Sequence, residues 1–176
     1  MIAMLLLLAL STPPPCGVQL TIAAKPPRVS EDRWVEVTGE LRNAGSRRIV
    51  LVEPGDGSES GWRTPVLKWR ARRIEGGRAT EVPVRPPDRC GLMNAPDPRR
   101  EVFTLEPGAT HRLAGMAIVV PPLPPGTYDV ELTYLNDPRI GFRGEILDDP
   151  SESPYHASMA CGATSNTLRI EVQGMN

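Results

Sequence analysis

Histidine is nearly absent from this chain: the 176 residues hold two, His111 and His156. Neither stands in a recognisable catalytic context, so general acid–base chemistry has little to draw on. Lysine is scarce too, because 18 of the 20 basic residues are arginine, a bias read first as base composition. With a net charge of -1, neither a nucleic-acid polyanion nor an acidic membrane surface is a natural partner. The longest apolar run, Ile2 to Leu10, is too short to span a bilayer. No C-x-x-C pair and no paired-histidine spacing marks a zinc site. No internal repeat and no convincing helical pattern is visible.

Turn formers, by contrast, are plentiful. Twenty prolines and 16 glycines punctuate a chain that is still 40% hydrophobic. That is enough apolar material to exclude disorder throughout, and the length suits one domain with a real core. Frequent turns between short apolar segments predict an all-β domain. The Ile2–Leu10 run matches the core of a secretory signal, and small residues Ala9 and Ser11 in the -3 and -1 places predict cleavage after Ser11. Residues 1–11 are therefore read as a signal peptide, 12–16 as a proline-rich leader and 17–174 as the folded domain. The expected location is periplasmic or extracellular, with no transmembrane span after cleavage. Lipidation through Cys16 is the weaker alternative, because Pro13-Pro14-Pro15 departs from the small-residue box of lipoprotein signals.

Outside the cytoplasm thiols tend to pair, and three cysteines leave one over. Cys90 and Cys161 fall within the folded region while Cys16 falls in the leader, so Cys90–Cys161 is the expected disulfide. A zinc site built from Cys90, His111, His156 and Cys161 is the alternative.

Alternation places the strands. Val35, Val37 and Leu41 share one face of WVEVTGELRN, opposite Glu36, Thr38, Glu40 and Arg42. Arg48 to Val52 is apolar on both faces, as in a central strand. Leu67, Trp69 and Ala71 alternate with Lys68, Arg70 and Arg72. Tyr128, Val130, Leu132 and Tyr134 alternate with Asp129, Glu131 and Thr133, and Leu168, Ile170 and Val172 close the chain. Shorter strands are expected at Val18–Ala23, Glu101–Leu105 and Arg112–Val120. Residues 75–100 and 136–163 read as long loops. The expectation is a single immunoglobulin-like antiparallel β-sandwich of about eight strands. A proline–glycine turn, Pro125-Gly126, sets Tyr128 at the start of a strand, where a tyrosine corner would return its hydroxyl to backbone just upstream.

The order NAGSRRIVLV, LKWRARRIEGG, LEPGATHRL, PPGTYDVELTY resembles bacterial exported immunoglobulin-like domains of the BsuPI-like (intracellular proteinase inhibitor) type. Asn43, Gly45, Leu105, Pro107, Gly108, Pro125, Gly126, Thr127 and Tyr128 carry the resemblance, over roughly residues 34–134. It implies the sandwich fold and, as an alternative function, proteinase inhibition. The matching motifs are turn chemistry that any such sandwich can use.

The stretch DGSESGWRTP holds the chemically richest cluster. No serine in it has the flanking glycines of a nucleophile elbow. As a calcium loop, Asp56, Ser58 and Ser60 take positions one, three and five, and Gly61 takes six, but Leu67 stands at position twelve where a glutamate is needed. Arg63 would also sit beside the ion. The preferred reading is a structured connection in which Trp62 plugs the sandwich end. Asp56, Ser58, Ser60, Trp62 and Arg63 are the candidate binding residues, with Trp62 and Arg63 as partner anchors. The group Arg70, Arg72, Arg73 and Arg78 reads as a solvated sheet face before an anion site. The function expected is a non-enzymatic extracytoplasmic binding or accessory module for an unknown protein or envelope component. No cofactor, metal or catalytic residue is expected. An inhibitor is the alternative, ahead of a calcium-dependent adhesion module or an enzyme.

Overall fold

A computed structural model describes residues 16–24, 35–54, 66–84, 97–113, 119–141 and 145–173. The signal segment, Cys90, and Asp56, Ser58, Ser60, Trp62 and Arg63 lie outside the described residues. In chain order the strands are β1 (Val18–Ala24), β2 (Val35–Asn43), β3 (Ile49–Val52), β4 (Val66–Glu75) and β5 (Arg78–Val82). After a single helical turn, α1 (Pro98–Glu101), come β6 (Val102–Leu105), β7 (Thr110–Leu113), β8 (Val119–Val120), β9 (Gly126–Asn136), β10 (Cys161–Thr164) and β11 (Leu168–Val172).

These strands make an all-β sandwich. One sheet is ordered β1-β2-β7, with β8 also on β2. The other is ordered β10-β9-β4-β5, with β11 also on β9, and β3 pairs with β6 alone. All the strand pairs are antiparallel. Alternation does what the sequence requires of it: Leu20 and Ile22 of β1, Val37 and Leu41 of β2, and Tyr128, Val130, Leu132 and Tyr134 of β9 all point into one core. Fully burying each such aliphatic side chain is worth about 1.5–3 kcal/mol, so these facing rows hold the two sheets together.

Two buried polar side chains fix the turns. Asn43, fully buried at the end of β2, donates from Nδ2 to the carbonyls of Arg47 (2.8 Å) and Leu105 (2.9 Å), and its Oδ1 accepts from Gly45 N at 2.9 Å. Its own carbonyl accepts from Gly108 N at 2.8 Å, and Gly108 needs its φ of 76° to reach back. The N-x-G and P-G turns of the sequence are thus stitched to each other through one amide. Tyr128 is equally buried and its hydroxyl donates to Pro124 O at 2.8 Å, which is the tyrosine corner.

Several expectations need correction. The expected strand at 112–120 divides into β7 and β8, which pair with separate halves of β2. Strand β3 is buried but not central: among the described residues β6 is its one strand neighbour. Its other edge is occupied by Met159 N, which donates to Val50 O at 2.9 Å, and by the Tyr134 hydroxyl on Val52. Strand β5, inside the expected 75–100 loop, pairs with β4 across Gly76 and Gly77, whose φ values of 55° and 81° suit a two-residue hairpin turn. Strand β10, at the end of the expected 136–163 loop, adds to β9. The count therefore rises to eleven strands among the described residues.

The expected Cys90–Cys161 disulfide is also replaced. Cys161 is bonded to Cys16, with the Cα atoms 5.1 Å apart. The reason is topological. Strand β1 runs past the β10–β11 connection, with a parallel bridge between Leu20 and Ser165, and Asn166 exchanges two hydrogen bonds with the Ile22 backbone (2.8 and 3.1 Å). That approach delivers residue 16 to the buried first residue of β10. Cys16, assigned to the leader from the sequence, belongs to the fold.

Two outcomes follow for stability. Tyr128→Phe leaves Pro124 O without its donor and should cost about 1–2 kcal/mol in urea titration, with the slope unchanged. Cys16→Ser opens a loop of sequence separation 145. The chain-entropy model puts that loss at up to about 5 kcal/mol, readable as a lower urea midpoint under oxidising conditions.

Candidate functional site

The chemically rich stretch at 55–65 lies outside the described residues, but the stems it connects, β3 and β4, are described. At the first stem the Tyr134 hydroxyl, fully buried, donates to Val52 O at 2.7 Å and accepts from Val52 N at 3.3 Å. Burial pushes the Tyr134 hydroxyl far above its ordinary range, so it stays a donor at any working pH. The next residue, Glu53, donates its N–H to Glu101 O at 2.6 Å. Its carboxylate meets His111 Nε2, and the His111 ring stacks on Phe103 with centroids 3.8 Å apart and planes 16° from parallel. At the second stem Val66 is buried and pairs with Leu135 of β9.

A second glutamate is joined to the first through backbone. Glu101, opposite Glu53 across the β3–β6 pair, accepts from the Tyr155 hydroxyl and from Asp97 N at 3.2 Å. Tyr155 comes from the long 137–160 segment and is fully buried, so that segment is packed into the fold at its middle. Its base is fixed by Asn136, whose Nδ2 donates to Ser158 Oγ (2.9 Å) and Met159 O (2.7 Å). His156 Nδ1 donates to Ser153 O at 2.9 Å.

The four-ligand zinc alternative fails on these contacts. His111 is held by Glu53, His156 by a backbone carbonyl, and Cys161 by Cys16. Among the described residues no three His, Cys, Asp or Glu side chains converge as a metal would need. Asp137 and Asp149 of the 136–152 segment are likewise engaged. Arg139 donates from its backbone N and from Nε (both 3.0 Å) to Asp137 Oδ1, and from Nη2 to Oδ2 at 2.7 Å. Asp149 accepts from Ser151 N at 2.9 Å and caps a 3-10 turn at Pro150–Glu152.

No family model matches the chain, and no curated protein matches it. The reading of function therefore rests on residues alone.

Of the arginine group, Arg70, Arg72 and Arg73 are paired, Arg73 with Glu75 at 2.8 Å. Arg70 donates to Glu81 (2.8 and 3.2 Å), Arg72 to Glu131 (3.0 Å), and Arg169 holds Asp129 with two bonds (2.9 and 3.1 Å). The charges along these pairs alternate in sign, so they neutralise one another locally. Sequence reasoning missed Glu101 and Tyr155, because neither lies in an alternating pattern. A glutamate ending an otherwise apolar strand, as Glu53 does, was the one available signal.

The paired acids set a pH dependence. The Arg139 guanidinium holds the Asp137 carboxyl below its ordinary value, and the Arg169 guanidinium does the same for Asp129. A depressed folded value contributes stability that is present above the unfolded carboxylate range, near 3.9, and is lost as pH falls through the folded value. The melting temperature should therefore fall as pH drops below about 4, and the Asp137→Asn, Asp129→Asn double variant should show a shallower fall. Equal slopes for wild type and variant would assign the acid sensitivity to other groups.

Proposed function

We propose that the protein is an exported, non-enzymatic binding or accessory module that presents residues 55–65 to a protein or envelope component. The observation that carries this reading is the fixing of both stems of that stretch. Val52 is gripped by Tyr134, Glu53 by His111 and Glu101, and Val66 is paired and buried in β4. A polar connection held at both ends by a rigid sandwich is the arrangement on which binding loops are built. Arg63 supplies a directional charged anchor, and Asp56, Ser58 and Ser60 supply adaptable hydrogen bonding. Trp62 is proposed as the plug that seats the segment.

Export is supported by the disulfide, since such bonds persist in oxidising compartments. Among the described residues no helix is long and apolar enough to cross a membrane. A lipid-modified cysteine carries its acylglycerol on sulfur. The bond from Cys16 to Cys161 uses that same atom, which favours export without lipidation.

The alternative, an inhibitor of the BsuPI-like type, draws on the turn residues of the resemblance. Asn43, Gly108 and Tyr128 have structural work in this fold that accounts for their presence without inhibition.

The test is capture from envelope extract with the processed chain as bait. Arg63→Ala should reduce capture of the retained component at least tenfold while leaving the melting temperature unchanged. Trp62→Ala should lower stability by roughly 3 kcal/mol, in the range of buried large-to-small changes. Capture that survives Arg63→Ala would move the contact surface elsewhere. Stoichiometric inhibition of a serine peptidase in a titration would favour the inhibitor over the binding module.

A further inference from the structure

Strand β5 forms an open margin of the five-stranded sheet. It pairs with β4 on one side, and among the described residues no hydrogen bond reaches its other side. Arg78, Ala79, Thr80 and Glu81 are all exposed. The opposite margin of that sheet is bridged: Leu20 of β1 meets Ser165, and the Ile22 backbone bonds to Asn166. The hairpin decides which groups of β5 face outward. In a two-residue hairpin the residues flanking the turn, here Glu75 and Arg78, exchange backbone hydrogen bonds with each other. Alternation then turns the N–H and C=O of Thr80 and Val82 toward β4 as well, and those of Ala79 and Glu81 outward. The outward row stops at Pro83, which has no N–H to offer, and at Gly77, whose φ of 81° belongs to the turn. What remains is a short template of backbone donors and acceptors, symmetric about Thr80.

We propose that this edge is an interface between two copies of the chain, paired antiparallel through β5 about a two-fold axis at Thr80. Such an axis, perpendicular to the sheet, keeps the faces of both copies in common, and the residues on β5 then select the register. Centring on Glu81 sets two carboxylates opposite each other and Pro83 against Ala79. Centring on Ala79 sets Glu81 against the Gly77 turn. Centring on Thr80 sets Ala79 of each copy against Glu81 of the other, and every outward N–H and C=O of the template finds a partner. Charged side chains usually guard an edge against such pairing. Here the guard is neutralised, because Arg70 holds Glu81 at 2.8 and 3.2 Å, and the small Ala79 leaves room opposite it. The Thr80 side chains meet across the axis in a non-hydrogen-bonded pair, the closer kind, in which Thr–Thr contacts are favourable. One continuous sheet then runs through both copies in the order β10-β9-β4-β5-β5-β4-β9-β10. Growth stops there, because the two-fold contact covers the same margin on both copies. The contact is small, below the roughly 1,200 Å² of stable interfaces, so association is reversible and depends on concentration.

The experiment is sedimentation velocity on the processed, oxidised chain across a concentration series, with a melting temperature recorded for each variant. Wild type should pass reversibly from monomer to dimer as concentration rises, and no further. Ala79→Pro removes an outward N–H without touching the β4 ladder, so it should leave the melting temperature in place and the protein monomeric throughout. Thr80→Lys and Thr80→Glu put like charges on the axis, and each alone should self-associate about fivefold more weakly. Mixed in equal amounts, the two should associate at least as tightly as wild type. That rescue requires both to be folded, so it decides the matter even where Ala79→Pro fails to fold. A wild type still monomeric at about 1 mM would overturn the proposal. So would a dimer that persists in Ala79→Pro, or a mixture of Thr80→Lys with Thr80→Glu no tighter than either alone. Partner capture by residues 55–65 is read separately, through Arg63→Ala, which should leave the dimer unchanged.

Discussion

Strand β9 buries three polar tips on its inner face, at Tyr128, Tyr134 and Asn136, and the cost of leaving any of them unpaired organises the structure around them. A hydroxyl or amide in a core must find a partner. Each of these finds one in a different connection: the Pro124 turn, the Val52 stem and the Ser158–Met159 segment. One strand therefore sets the position of three loops that are far apart in sequence. Hydrophobic burial brings the sheets together, but it is non-directional. Directionality comes from those three bonds, with Asn43 doing for the β2 turn what Tyr134 does for β3.

Much of this architecture is legible in the sequence because period-two alternation is a local signal. The faces of β1, β2, β4, β9 and β11 can be read from adjacent residues, and the tyrosine corner from a proline–glycine turn before a tyrosine. Pairings that join distant segments are not written locally. Val50 meeting Met159, or Glu101 meeting Tyr155, leaves no periodic trace. Strand β5 was hidden because Arg78, Ala79, Thr80 and Glu81 are all exposed and so carry no alternation, although the Gly76-Gly77 pair marks the hairpin. The cysteine pairing was misread for a related reason. Position in a proline-rich leader suggested that Cys16 stood outside the fold, whereas a parallel approach between the first strand and the segment before the last brings it inside. Of the candidate site, the polar stretch itself could be picked out by composition, but its anchors at Tyr134, His111 and Glu101 could not.

The turn residues that support the family resemblance explain why such a resemblance speaks to fold more than to activity. Asn43 satisfies carbonyls in two separate connections, Gly108 adopts a backbone conformation that suits glycine, and Tyr128 closes a corner. Any sandwich with these connections has reason to use the same residues. What distinguishes one such protein from another is the chemistry carried on segments between the strands, where the requirements of folding are weakest.

The bond between Cys16 and Cys161 also has a mechanical consequence. Force applied along the chain from its two ends enters at Cys16 and leaves at Cys161 through sulfur, bypassing the strands between them. Under tension β1 through β9 lie inside a closed covalent ring and cannot be drawn out. Only the segments outside the ring lengthen, and β11 and the part of β10 beyond Cys161 are the strands that peel. Under load the domain behaves as an extensible tail on an inextensible knot.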